Sequence, residues 1–164
     1  MWKRGAREKW TQAILHMHDT PERTAAAFAL GVAVGFSPFL GLHTLIGIAL
    51  AFVFQLNRVS VLAGIWVNLP WFVGPYYAAA TFVGGWVTGT PVQTHFVTEI
   101  DDVWALPGWR ARAEGLAHLL RPLLAPFMIG STIGSIVFGL IAYRVALTFV
   151  IARRRHLAEQ NQTQ

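Results

Sequence analysis

The chain has no cysteine. Disulfides, thiolate nucleophiles and cysteine-ligated zinc or iron–sulfur centres are therefore excluded. Charge is also scarce. Asp, Glu, Lys and Arg make up 13% of the 164 residues, where a soluble domain carries about 25%. No GxSxG, HExxH, P-loop or GxGxxG pattern occurs, so the common hydrolase, zincin and nucleotide-binding sites have no foothold. Paired carboxylates in an apolar setting are missing as well, and no catalytic activity is expected.

What fills the space is apolar sequence. Hydrophobic residues make up 54% of the chain and mean hydropathy is +0.46, which points to an integral membrane protein. The net charge of +5 and pI near 10.5 do not point to nucleic acid. The basic residues gather at the two ends, beside apolar runs, without an aromatic–basic groove pattern. That is the distribution expected for membrane orientation and anionic headgroups. No cleavable signal peptide is evident, since the first apolar run is too long for a signal core.

That run, Ala25 to Leu56, holds no charged residue over about 32 positions. A membrane-crossing helix needs about 20, so the run is long for one span and short for two. In its middle stands Ser37-Pro38-Phe39-Leu40-Gly41-Leu42-His43-Thr44. Proline removes a backbone donor and disfavours helix at the residue before it, and glycine loosens the backbone. Two helical arms, Thr24–Phe36 and Leu40–Leu56, are expected around a break. Asp19-Thr20-Pro21-Glu22 reads as the helix start. Gly31 and Gly35 form a GxxxG face for close helix contact.

A second uncharged run, Val59 to Thr98, breaks at Asn68-Leu69-Pro70-Trp71. Either Val59–Val67 and Trp71–Val87 are arms of a second broken hairpin, or the break is a tight turn near an interface. Pro38-Phe39 and Pro70-Trp71 lie about 32 residues apart, the coarse plan of a paired interrupted segment.

Residues 1–20 read as a basic amphipathic helix on a membrane surface. Residues 88–121 read as a polar extracytoplasmic loop with short helices, and 122–152 as a transmembrane helix with a small-residue face. Arg153-Arg154-Arg155 are expected to stop that helix and open a cytoplasmic tail, 153–164, of which His156 to Gln164 is polar and disordered. Residues 1–24 carry five basic residues and 144–155 four, against three basic and four acidic in 88–121. The positive-inside rule then puts both termini in the cytoplasm. The fold class expected is all-α: one polytopic membrane domain over 1–164, with broken or re-entrant helices.

Thr20 to Tyr77 resembles the bacterial DUF2062 family, a domain family of unknown function. The likeness rests on Pro21-Glu22, Gly31, Gly35, Pro38, the Gly41-Leu42-His43-Thr44 block, Asn57, Asn68 and Pro70. Asn68-Leu69-Pro70 departs from the adjacent Asn-Pro associated with the family. The resemblance implies a small multi-helix inner-membrane protein. Some relatives look like membrane modules joined to glycosyltransferase-like domains, which implies lipid-linked sugar or envelope chemistry nearby.

The substrate-binding candidates are Ser37, Pro38, Gly41, His43, Thr44, Asn68 and Pro70. His43 is the only ionisable group in the first run. It either carries a proton or contacts an anion, or it satisfies broken backbone inside the fold. Backbone N–H groups at the start of the second arm suit a phosphate. Asn68 either binds substrate or caps a helix end. Asn57 and Arg58 read as interfacial. His16, His18 and Asp19 split across helix faces and make a poor metal site, and a solvated loop explains Glu99, Asp101 and Asp102. No cofactor or metal is expected. The expected partners are membrane lipids, a second copy through the glycine faces, and an envelope-synthesis enzyme. The expected function is transport of a small or lipid-linked anionic substrate, or else an accessory membrane module.

Overall fold

The computed structural model describes residues 20–39, 41–68, 70–90 and 96–162. The amphipathic helix expected over 1–20 and the trio His16, His18 and Asp19 lie outside them, apart from Thr20. Among the described residues the chain is helical, with no strand. Seven α-helices are described: α1 (Pro21–Gly35), α2 (His43–Val53), α3 (Arg58–Ile65), α4 (Pro70–Thr88), α5 (Phe96–Ala105), α6 (Trp109–Leu120) and α7 (Leu124–Gln162). A 3-10 turn, Arg121–Leu123, precedes α7. The chain divides into two compact units. Met1–Leu69 with Ser135–Gln164 form the first, and Pro70–Gly134 the second.

In the first unit α1 begins where the residues say it should. Thr20 has extended backbone and its hydroxyl accepts from the Arg23 N–H at 3.3 Å. That satisfies one of the four orphan donors of a helix start. Pro21 loses nothing at the first position, where no donor is needed. The helix then packs through its small residues. A Cβ on Gly31 would fall on the Val61 carbonyl, and one on Gly64 would fall on the Phe28 carbonyl. The backbones of α1 and α3 therefore meet with nothing between them. Ala27, Ala51, Val61 and Ile65 form the buried cluster beside this crossing. The C-terminal part of α7 closes on α1. Ser135 Oγ donates to the Ala33 carbonyl at 2.6 Å, and Phe138 stacks on Phe36 with ring centroids 4.6 Å apart.

The second unit uses the same device with other residues. A Cβ on Gly84 would strike the Pro126 carbonyl, and one on Gly130 the Ala80 carbonyl. Tyr76 donates through its hydroxyl to the Ser131 carbonyl at 3.3 Å. Pro75 lies inside α4. Two short helices, α5 and α6, follow and pack on each other, with Gly115 against Val103 and Leu106. Gly108 joins them at φ +83°, a left-handed backbone that glycine adopts without strain.

Two expectations are corrected. The second arm is shorter than Leu40–Leu56, because α2 runs only from His43 to Val53. The arginine triplet does not stop the last helix, and the expected disordered tail is helical to Gln162. Arg, Leu, Ala, Glu and Gln are all good helix formers, so charge alone ends nothing. Asn57, read as interfacial, is only 3% exposed and caps α3.

One helical run among the described residues is long and apolar enough to cross a membrane. It lies within Trp109–His156, has mean hydropathy 2.1, and only 6% of it is buried in the chain. Helix α7 spans 39 residues, or about 58 Å at 1.5 Å per residue. That is about twice the thickness of a bilayer's hydrocarbon core.

Candidate functional site

The break between α1 and α2 follows from its residues. Phe36 ends α1, and Ser37 folds its hydroxyl back onto the Val34 carbonyl at 2.6 Å, with its own N–H 3.2 Å from the same oxygen. Ser37 is buried. Pro38 is half-buried and has no N–H to continue the ladder. Phe39 and Leu42 close a turn, the Leu42 N–H lying 3.1 Å from the Phe39 carbonyl. Gly41 holds φ +83°, with nothing near its missing Cβ. The position needs glycine for its backbone, not for space.

His43 opens α2 and is half-buried. Its side chain makes no hydrogen bond to another described residue. Thr44 follows, also half-buried. Leu42 precedes them and offers no side-chain cap. The start of α2 thus keeps the partial positive charge of a helix N-terminus without a side-chain cap from Leu42.

The second break comes to the first. Asn68 Nδ2 donates to the Gly35 carbonyl at 2.7 Å. Two side chains predicted from sequence, Ser37 and Asn68, therefore converge on the last carbonyls of α1. A Cβ on Gly35 would sit 2.9 Å from the Ile65 carbonyl, so the end of α3 lies directly against the end of α1. Gly47 of α2 lies against the Ile65 side chain. One isoleucine thus keeps both arms of the first break in register with the second break. Residues 66–68 form a turn and bend after α3, and α4 begins at Pro70, so the second uncharged run is interrupted between two helices. Pro70 takes the first position of α4 and is not part of the hydrogen-bonded group.

The Oδ1 atom of Asn68 is buried and has no partner among the described residues. A buried acceptor left unpaired costs about 1–3 kcal/mol. It would be relieved by a donor such as a hydroxyl or N–H. The break therefore offers an acceptor at Asn68, an imidazole ring at His43 and a helix start at α2.

Sequence reasoning missed the other end of α2. There Asn57 Oδ1 accepts from the N–H groups of Val59 and Ser60, at 3.0 and 3.2 Å. Its Nδ2, like the hydroxyl of Ser60, is buried without a partner among the described residues. The signal was present, since Asn ranks among the strongest N-cap residues and Asn57 follows an apolar run. Among the described residues no three His, Asp or Glu side chains gather as a metal site.

A family model described as "Uncharacterized protein conserved in bacteria (DUF2062)" matches residues 6–159. The chain belongs to that family. No curated protein and no solved structure matches it.

Proposed function

We propose that this member of the DUF2062 family is a polytopic inner-membrane protein, both termini cytoplasmic, whose α1–α2 break binds and moves a small or lipid-linked anionic substrate. We assign it no catalytic step. The membrane setting is supported by which residues are inside. Ala25, Ala27, Ala29, Ala51 and Ser131 are buried, while Trp66, Trp71, Trp86 and Phe149 are exposed. A protein folded by water would do the reverse, since burying one large apolar side chain is worth about 1.5–3 kcal/mol. In lipid that gain between helices vanishes and close packing of small residues replaces it.

The observation that carries the site is the unpaired Asn68 Oδ1 at the junction of the two breaks. An amide oxygen calls for a donor, and an uncapped helix start calls for an acceptor. A phosphorylated alcohol supplies both. Ser37, Pro38 and Gly41 shape the break; His43 and Thr44 stand where the acceptor would sit, and Pro70 fixes the exit into α4. Any transport path at this chain length rests on a homo-oligomer formed through lipid-facing surface.

The chain's lack of cysteine makes the test direct. Single cysteines along 34–46 and 65–76 are labelled in membrane vesicles with an impermeant maleimide from each side. Labelling near His43 and Asn68, with the flanking arms dark, is expected. Reconstituted protein is expected to move fluorescent phosphatidylglycerol between leaflets, and His43→Ala to slow it. Darkness at both breaks from both sides, with 88–121 labelled from outside, would sink the reading.

One observation favours a second reading. Ser37 and Asn68 already donate hydrogen bonds to Val34 and Gly35, as a packed structural kink would. The chain would then anchor or organise an envelope-synthesis enzyme. Co-purification of one stoichiometric partner, with His43→Ala tolerated in cells, would favour that reading.

A further inference from the structure

At the far end of α2 from the break, the chain turns into α3 around a cavity of about 400 Å³. Phe52, Gln55, Leu56, Asn57 and Arg58 are among the residues that line it. The turn is fully specified by hydrogen bonds. The Leu56 N–H reaches the Ala51 carbonyl at 2.9 Å, and the Gln55 N–H reaches the Phe52 carbonyl at 3.2 Å. Gln55 takes φ +52° between them, which is the Schellman ending of a helix with glutamine in the usual glycine place. Its carbonyl faces outward and accepts from Arg23 Nη2 at 2.9 Å. A guanidinium from α1 is thereby tied to the rim.

We propose that this α2–α3 corner binds a phosphate group, with Arg58 as its cation and Asn57 as its inner donor. The Arg58 guanidinium lies over the Phe52 ring, 3.9 Å from its centroid. This contact holds the cation at the turn, and a guanidinium's planar fork of N–H donors engages phosphate oxygens in pairs. No described carboxylate pairs with it. Beneath the exposed Arg58 and Val59 lies Asn57, 97% buried by its 3% exposure. Its Oδ1 is committed to capping α3, so the amide cannot turn and Nδ2 is left as a donor without an acceptor. Ser60, 4% exposed, one turn along α3 and outside the cavity lining, carries a buried hydroxyl with no partner among the described residues.

One buried amide donor and one guanidinium that no described carboxylate pairs, both lining the cavity, share one deficit, an acceptor carrying negative charge. Asn57 and Arg58 are also the only interruption between two uncharged apolar runs. Such a position falls at headgroup depth in a membrane, where phosphate is the commonest anion. The site does not depend on transport at the break.

The test uses the full chain in neutral detergent and in nanodiscs. Inorganic phosphate is titrated calorimetrically, and phosphatidylglycerol retention is measured by native mass spectrometry against phosphatidylcholine. The variants are Arg58→Gln, Asn57→Asp and Arg153→Gln. Aspartate caps a helix as well as asparagine does, so Asn57→Asp keeps the fold while removing the donor and adding repulsion. If it nonetheless loses helicity by circular dichroism, Arg58→Gln, at an exposed position, decides the matter. The expected result is phosphate or phosphatidylglycerol binding weakened about tenfold or more by Arg58→Gln and Asn57→Asp, and less than about twofold by Arg153→Gln. Binding of inorganic phosphate with this pattern identifies a free phosphate site. The same pattern with phosphatidylglycerol alone identifies a lipid headgroup site. Binding unaffected by Arg58→Gln, equal loss in Arg153→Gln, or binding of neither probe overturns the proposal.

Discussion

The two units join helices in the same way and spend their polar atoms differently. In each, a pair of glycines lets two backbones touch: Gly31 and Gly64 in the first, Gly84 and Gly130 in the second. Beside the second crossing, Tyr76 finds the Ser131 carbonyl, and the Ser131 hydroxyl folds onto the Phe127 carbonyl. Beside the first, the accounts do not close. The three buried side-chain atoms without a partner among the described residues, Asn57 Nδ2, Ser60 Oγ and Asn68 Oδ1, all belong to the first unit. Close packing can be had from small residues alone, as the second unit demonstrates. The unspent polar atoms are therefore not a by-product of the packing, and the first unit is where binding is to be sought.

The largest effect should erase the likeness between the units. Gly31→Leu and Gly84→Leu each place a side chain into a facing backbone carbonyl that has no room to retreat. Each should cost about 3 kcal/mol, read as loss of the thermal transition in detergent. Substrate or lipid binding should be lost with the first and retained longer with the second. Equal loss would mean that binding is not confined to one unit.

The next pair separates structure from chemistry. Asn68→Ala removes the 2.7 Å bond to the Gly35 carbonyl but also removes the orphaned oxygen. Tyr76→Phe removes a longer bond of 3.3 Å. Both should cost about 1 kcal/mol of stability, measured by denaturant titration. Only Asn68→Ala should alter movement of fluorescent phosphatidylglycerol. Comparable effects on that movement would dissolve the contrast between the units.

A smaller change carries the opposite sign. Gln55 holds a left-handed backbone that costs a non-glycine residue about 1 kcal/mol. Gln55→Gly should therefore stabilise the chain by up to about 1 kcal/mol, seen as a raised melting temperature. A loss of stability would mean that the glutamine side chain holds the corner.

The smallest effect is electrostatic. The Glu22 carboxyl is held below its ordinary value of 4.5, first by a backbone N–H at the helix start, then by the Thr20 hydroxyl and the nearby Arg154. A lowered folded pKa contributes stability that is present above 4.5 and is lost as pH falls through the folded value. Glu22 is fully exposed, so solvent screens the effect. The melting temperature should fall slightly less steeply below pH 4.5 in Glu22→Gln than in the parent chain.

Much of the first unit could be read from residue types. Thr20-Pro21 announces the start of α1, and Ser37-Pro38 with Gly41 announces its end. Both signals are local, and local chemistry is what a sequence displays directly. The destination of Asn68 was not legible, because its partner, the Gly35 carbonyl, lies 33 residues away and a carbonyl is common to every residue. The continuation of α7 through Arg153-Arg154-Arg155 was misread for the reverse reason. Positive charge marks depth in a membrane, but it does not end a helix whose residues favour one. The corner at Asn57 was visible only as a polar interruption. Its stacked guanidinium and stranded amide appear once Phe52 and Arg58 are brought together.

The bond from Ser135 to the Ala33 carbonyl spans 102 residues of chain. It places the beginning of the first unit and its last helix on opposite sides of the whole second unit in the order of synthesis. At about 5–20 residues per second, α1 waits about 5–20 s for the segment that completes it. During that interval Ala33, Phe36 and the glycine face stand without their final neighbour. Biogenesis, rather than the finished molecule, then holds this protein's most vulnerable moment. Any factor that escorts the nascent chain has that span of time in which to act.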